Sequence, residues 1–306
     1  MTMFRLGLIG AGRMGRTHLR ALSGSEAVRV VAIAEPSEQA RAAVQRDGIA
    51  THSDVAAMLQ AGGLDGVLVA APSTLHLGLV ARIADAALPI LCEKPCGISA
   101  QQAREAASIA RNRSVKLQVA YWRRFVPVLQ RLRRRIADGE LGVPYFVACY
   151  QWDGEPPPPQ FHVDSGGIFI DMGVHEFDQI RWLSGQEFSS IAPAVTSVSV
   201  EPPVAGDAES AQALCTLSGG STALVSLGRR FPLGDVCRVE VFGTRDAEEC
   251  RFLWPPDGEQ VFMQALRRQA ESFAAWARGG AAEGATADDT VAALQAAEQA
   301  SVGLVR

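Results

Sequence analysis

Leu6-Gly7-Leu8-Ile9-Gly10-Ala11-Gly12-Arg13-Met14-Gly15 decides how this chain is read. Apolar residues at Phe4, Leu6, Leu8 and Ile9 make a short strand, the glycines a turn, and residues 16–22 a helix start. In that setting the spacing Gly10-x-Gly12-x-x-Gly15 predicts a dinucleotide-binding turn. Gly10 permits the tight turn, Gly12 leaves room for a pyrophosphate, and Gly15 lets the helix lie close to the strand. The helix N-terminus offers N–H groups and partial positive charge to phosphates, so Ala11, Arg13 and Met14 join the glycines as expected cofactor contacts. A second apolar run, residues 28–34, ends at Glu35. A carboxylate there accepts hydrogen bonds from a ribose 2′-hydroxyl and repels a 2′-phosphate. Ser37 and Arg41, a pair of the kind that reads a 2′-phosphate, pull the other way. The balance favours NAD, with NADP possible.

Outward from this turn the pattern alternates. Apolar runs at 66–71, 89–92 and 116–120 are separated by alanine-rich amphipathic stretches at 37–46, 53–60, 75–86 and 100–112, with Ser53 and Ser99 at N-cap positions. Such alternation predicts a doubly wound α/β fold, a parallel sheet with helices on both faces. Ligands of such sheets lie at the C-terminal strand ends. Those ends carry Pro72, Ser73 and His76 and, one strand later, Glu93-Lys94-Pro95. Lys94 is expected to point into the nucleotide crevice; the plain alternative is a solvated loop lysine paired with Glu93. His76 is expected to line the cofactor wall rather than to catalyse.

The alternation stops near Tyr121. The reading is therefore a Rossmann domain over residues 1–120 and a substrate and oligomerisation domain over 121–306. Tyr121-Trp122-Arg123-Arg124-Phe125 leads into a helix at 126–138, with Leu129, Leu132 and Ile136 inward and Arg131, Arg133, Arg134 and Arg135 mostly solvated. A strand at 145–152 ends at Asp153. Pro156 to Pro159 then form a stiff extended piece, either a connector or a wall over the substrate. From Ile168 a helix is expected, placing Asp171, His175 and Asp178 at i, i+4 and i+7 on one face. An acid one turn from an imidazole can hold it or share a proton path; a polar face meeting water is the bland alternative. Strands are expected at 189–200, 210–217, 221–230, 236–242 and 250–253, and helices at 260–278 and 288–305.

Composition sets limits. Hydrophobic residues at 48% and charged residues at 20% describe an ordinary globular protein. A net charge of −4 with no basic tail argues against nucleic-acid or membrane partners. The six cysteines are scattered, without C-x-x-C, and read as buried thiols of a reducing compartment. The histidines are too dispersed for a metal site. The first strand begins within a few residues of Met1, which leaves no room for a signal peptide, and no apolar run is long enough to span a membrane. The expectation is a cytoplasmic protein.

Gly10-x-Gly12-x-x-Gly15, Glu93-Lys94-Pro95, Gly166-Gly167-x-x-x-Asp171-x-x-x-His175 and a β-rich second half together resemble the glucose–fructose oxidoreductase / inositol dehydrogenase (Gfo/Idh/MocA) family. The segments from Tyr121 to Phe125 and from Ser165 to Asp171 look most like inositol 2-dehydrogenases. Ala120-Tyr121-Trp122 departs from the Gly-Phe-Met those enzymes often carry, which leaves the identity of the polyol open. The resemblance implies a Rossmann domain followed by an α/β domain with an open, mostly antiparallel sheet, a homo-oligomer (dimer or tetramer), a cis peptide before Pro95 and a catalytic set of Lys94, Asp171 and His175. The substrate would be a small polyol or sugar, inositol-like.

Removing hydride from a secondary alcohol requires a nicotinamide to receive it and a base for the hydroxyl proton. His175 suits the base, Asp171 its orienting partner, and Lys94 a cation that stabilises developing charge on oxygen. Arg123, Asp153, His162 and Asp178 are candidate substrate contacts. A keto-sugar reductase, another sugar-modifying reaction on the same scaffold, and a non-catalytic NAD(H) sensor stay open as alternatives.

Overall fold

The computed structural model describes residues 2–46, 48–156, 166–196, 208–254 and 256–302. They fall into two compact units, Met1–Phe125 with Met263–Val291, and Val126–Phe262 with Ala292–Arg306. The division lies five residues beyond the expected boundary, and a late segment returns to the first unit.

The first unit is a Rossmann fold. Strands β1 (Phe4–Ile9), β2 (Val28–Ala34), β3 (Ala50–His52), β4 (Gly66–Val69), β5 (Ile90–Cys92), β6 (Leu117–Val119) and β13 (Ala285–Thr286) form one sheet in the order β13-β6-β5-β4-β1-β2-β3. All pairings are parallel except β13 on β6. β4 and β5 are wholly buried, which is why they read as unbroken apolar runs. The chain builds outward from β1 to β3, then resumes at β4 on the other side of β1. That reversal is the switch point where such sheets open a ligand crevice. The intervening helices are α1 (Arg13–Leu22), α2 (Glu38–Val44), α3 (Val55–Ala61), α4 (His76–Asp85) and α5 (Ala100–Asn112). Asp54, not Ser53, caps α3: it directly precedes the first helical residue and accepts the Ala57 N–H at 2.9 Å. Ser99 caps α5 as expected.

Helix α8 (Gly258–Ala277) explains the returning segment. Its Ala270, Phe273 and Ala274 complete the core made by Phe4, Leu6, Leu8, Val30 and Ile33, with Phe273 edge-on to Phe4 at 5.9 Å.

The second unit holds β7 (Pro144–Trp152), β8 (Phe188–Val195), β9 (Ser210–Leu217), β10 (Thr222–Gly228), β11 (Val236–Gly243) and β12 (Ala247–Leu253) in the order β12-β11-β7-β10-β9-β8. Only β7 with β10 is parallel. Alternation puts Val147, Cys149, Ala213, Cys215, Val225, Val239 and Val241 inside. Helices α6 (Pro127–Ala137) and α7 (Val174–Ser184) pack together, and α7 lies on β7. The other sheet face exposes Leu214 (58%) and Phe242 (37%). Helix α9 (Ala287–Val302) closes the described chain. All six cysteines are buried, and no described helix is long and apolar enough to cross a membrane.

Candidate active site

The glycine turn joins β1 to α1 and has the shape a dinucleotide needs. Gly10 has φ +95°, and a Cβ there would lie 2.7 Å from the Ala70 carbonyl oxygen. A Cβ on Gly15 would collide with the Gly10 carbonyl oxygen. At Gly12, by contrast, a Cβ would meet nothing within 4 Å, so the turn is open on the side where a pyrophosphate would lie. No side chain caps α1 and its first turn holds no acid, which leaves the positive end of the helix available to an anion.

Glu35, just beyond β2, is built into the turn. Its Oε2 accepts the Ala11 N–H at 2.8 Å and its Oε1 the Ser37 N–H at 2.9 Å. Arg41 does not pair with this carboxylate; its Nη1 donates to the Glu35 and Pro36 carbonyls at 2.6 and 2.8 Å. The residues present therefore fit a dinucleotide with a free 2′-hydroxyl. Pro72 and Ser73 follow β4, Ser73 opening the short turn Ser73–Leu75.

Glu93 and Lys94 follow β5, and the Lys94–Pro95 peptide is cis. The Glu93 carboxylate does not project into solvent: its Oε1 meets His18 Nε2 at 2.6 Å and its Oε2 accepts the Lys94 N–H at 3.3 Å. His76 opens α4. It is buried, with Nδ1 2.7 Å from the Pro95 carbonyl oxygen and Nε2 2.8 Å from that of Ala71. The ring thereby ties two turns together. Arg123 is buried in the turn Trp122–Phe125 beyond β6, 5.9 Å over the Trp122 ring.

In the second unit Asp171 lies in a π-helical turn, Phe169–Gly173, that runs into α7. Such widened turns are frequent at functional sites. His175, Glu176, Asp178 and Gln179 on α7 are all buried, so this is not a solvated polar face. Asp171 pairs with Arg229 at 3.2 Å; Arg229 follows β10 and is only 1% exposed. Asp153 leaves β7 beside it, since Trp152 pairs with Gly228 across the parallel ladder. Burial pushes the Asp153 carboxyl above its usual range; the charges of Asp235 and Asp171 add to this, while Gln151 and Arg229 oppose it. His162 lies outside the described residues.

Sequence reasoning missed His18, Glu176 and Arg229. Each is a polar residue whose burial depends on partners or packing remote in the chain. The described residues hold no group of three or more His, Cys, Asp or Glu side chains suited to a metal.

Comparison with known proteins agrees with both halves of the fold. Residues 4–121 match a family model described as an oxidoreductase family with an NAD-binding Rossmann fold, and residues 129–247 match the Gfo/Idh/MocA C-terminal domain. The chain is 53% identical over 306 residues to the rhizopine catabolism protein MocA of Rhizobium meliloti, covering 100% of this chain and 96% of the relative. It is 32% identical over 315 residues to an inositol 2-dehydrogenase of Rhizobium meliloti strain 1021, covering 97% and 95%. The crystal structure of scyllo-inositol dehydrogenase from Lactobacillus casei with bound NAD(H) and scyllo-inositol shares the fold, with TM-score 0.87, 21% identity and coverage of 99% and 97%. Both halves match one family in one order, and the chain belongs to it: the Gfo/Idh/MocA family of NAD-binding oxidoreductases.

Proposed function

We propose that this oxidoreductase transfers hydride between NAD and a secondary alcohol of a cyclic polyol of the inositol kind, or of a rhizopine. The observation that carries this reading is the full-length likeness to both an inositol 2-dehydrogenase and a rhizopine catabolism protein. Bound nicotinamide supplies the hydride acceptor. The protein's own task is the proton and the developing charge. His175 takes the hydroxyl proton, as an imidazole near neutrality can. Asp171, fixed by Arg229, orients the reacting groups. Lys94 holds the hydroxyl and stabilises negative charge on its oxygen. Arg123, Asp153 and Asp178 are the proposed substrate contacts within their units.

Initial rates with NAD and with NADP, on myo-inositol, scyllo-inositol, a rhizopine and several aldoses, test this. NADH formation with a cyclitol is the expected result. Lys94→Ala and His175→Ala should each lower kcat by about 10²-fold or more while NADH still binds. Near-normal turnover in either removes that residue from the mechanism. No turnover in either direction with any cyclitol or keto-sugar, despite tight NADH binding, would favour a sensor.

A cytoplasmic homo-oligomer is part of the proposal. Six buried free thiols support the compartment. The sheet face exposing Leu214 and Phe242 supports self-association. A monomer by light scattering would remove the second point.

A further inference from the structure

We infer that His18 and His76 are positioning residues for Lys94, bracing its turn from either side. This rests on the role proposed for Lys94 and adds what holds that lysine in place.

Lys94 has one tethered neighbour on each side. Before it, Glu93 joins His18 of α1 at 2.6 Å, and the other Glu93 oxygen reaches the Lys94 N–H at 3.3 Å. After it, the Pro95 carbonyl receives His76 of α4 at 2.7 Å. The second nitrogen of His76 reaches Ala71, in the turn after β4, at 2.8 Å. The turn that carries Lys94 is thereby tied to the helix that starts at the glycine turn and to the neighbouring strand end. Beyond β5 the backbone leaves the sheet ladder, so side chains must supply the constraint the ladder no longer gives.

The two rings differ in their partners. Both partners of His76 are carbonyl oxygens, which only accept, so the ring is held between two backbone acceptors and donates to at least one of them. His18 is different. Its Nδ1 is buried with no hydrogen-bond partner among the described residues, while Nε2 faces a carboxylate. A buried N–H without an acceptor is costly, so the proton belongs on Nε2.

Substitution kinetics test this. In kinetics with NAD and the cyclitol that gives turnover, His76→Asn places its amide near the former Nδ1 and keeps the Pro95 tie; His76→Gln keeps only the Ala71 tie. His76→Gln and His18→Leu should lower kcat about tenfold or more, with the NAD KM within about twofold. His76→Asn and His18→Gln should stay within about threefold of the parent. Equal losses in Asn and Gln, or losses that follow thermal midpoint alone, make the histidines merely structural and overturn the inference. Should His18→Leu fail to fold, the Asn–Gln contrast at position 76 decides. Lys94→Met separates the two levels. Full turnover there defeats the role of Lys94 itself, whereas its loss beside unaffected histidine variants defeats only the bracing.

Discussion

Glu35→Gln removes the charge, together with one of the two oxygens that accept the Ala11 and Ser37 N–H groups, and tests cofactor choice. The carboxylate is fixed by the Ala11 and Ser37 N–H groups at 2.8 and 2.9 Å, so it cannot swing aside for a 2′-phosphate. Unit charges 4 Å apart repel by about 1 kcal/mol in water and about 4 kcal/mol at an effective permittivity near 20. Glu35 is half-buried, so about 2 kcal/mol is a fair charge penalty on NADPH, or about 30-fold in Kd. A hydrogen bond from a 2′-hydroxyl to the carboxylate, present only with NADH, contributes about 2 kcal/mol more. Together they predict an NADPH-to-NADH Kd ratio of about 10³. Gln keeps an acceptor for the hydroxyl but loses the repulsion, so the ratio should fall about 30-fold. Nucleotide fluorescence titration reads both constants without any need for substrate. A parent ratio near one, or a ratio unmoved by Glu35→Gln, refutes the reasoning. Arg41, already held at this turn through the Glu35 and Pro36 carbonyls, would then be the group to examine.

Three further outcomes follow from the geometry. Gly15→Ala sets a methyl against the Gly10 carbonyl oxygen, so calorimetry should show a loss of about 3 kcal/mol and titration a loss of NADH binding. Asp289 closes a reciprocal cap on α9: Asp289 Oδ2 accepts the Thr286 N–H at 2.8 Å, and Thr286 Oγ1 accepts the Asp289 N–H at 3.2 Å. Burial raises its carboxyl, but Arg124 and Thr286 outweigh that and leave it below the usual range. Asp289→Ala should cost about 2 kcal/mol at neutral pH, and the difference should shrink as pH falls from the ordinary carboxylate range through the depressed value, because the parent loses that stability there. Asp153 has the opposite sign. Its carboxyl is raised by burial, so ionising it at neutral pH opposes folding. Asp153→Asn should therefore be more stable than the parent in denaturant melts at neutral pH, and the two should converge below the ordinary carboxylate range.

What could be read from sequence was local. The glycine turn, the apolar runs of β4 and β5, and the alternating strands of the second half announce themselves within a few residues. β3 and β13 do not, being three and two residues long at the sheet's margins. The return of α8 to the first unit was hidden for a different reason. An amphipathic helix has the same periodicity whichever core it fills, and only contacts such as Phe4 with Phe273 reveal which one it is. His18 stands among Arg13, Arg16 and Arg20 and reads as one more polar position, yet its partner lies 75 residues away at Glu93. Arg229, beside Arg230, reads as a solvated pair at a strand end. Its burial is set by Asp171, 58 residues earlier.

These illegible residues have something in common. Each is a polar group moved out of water, which folding alone does not favour. A buried ion pair such as Arg229 with Asp171 often stabilises no more than apolar side chains of equal volume would. His18 leaves one buried ring nitrogen without a hydrogen-bond partner among the described residues. The sequence therefore carries costs at these positions that a more apolar core would avoid, and they fall beside Lys94 in one unit and at Asp171 in the other. Physical departures from the cheapest way to fold are where function is expected to be written. In each unit the costly polar group thus stands next to a residue proposed for the alcohol chemistry.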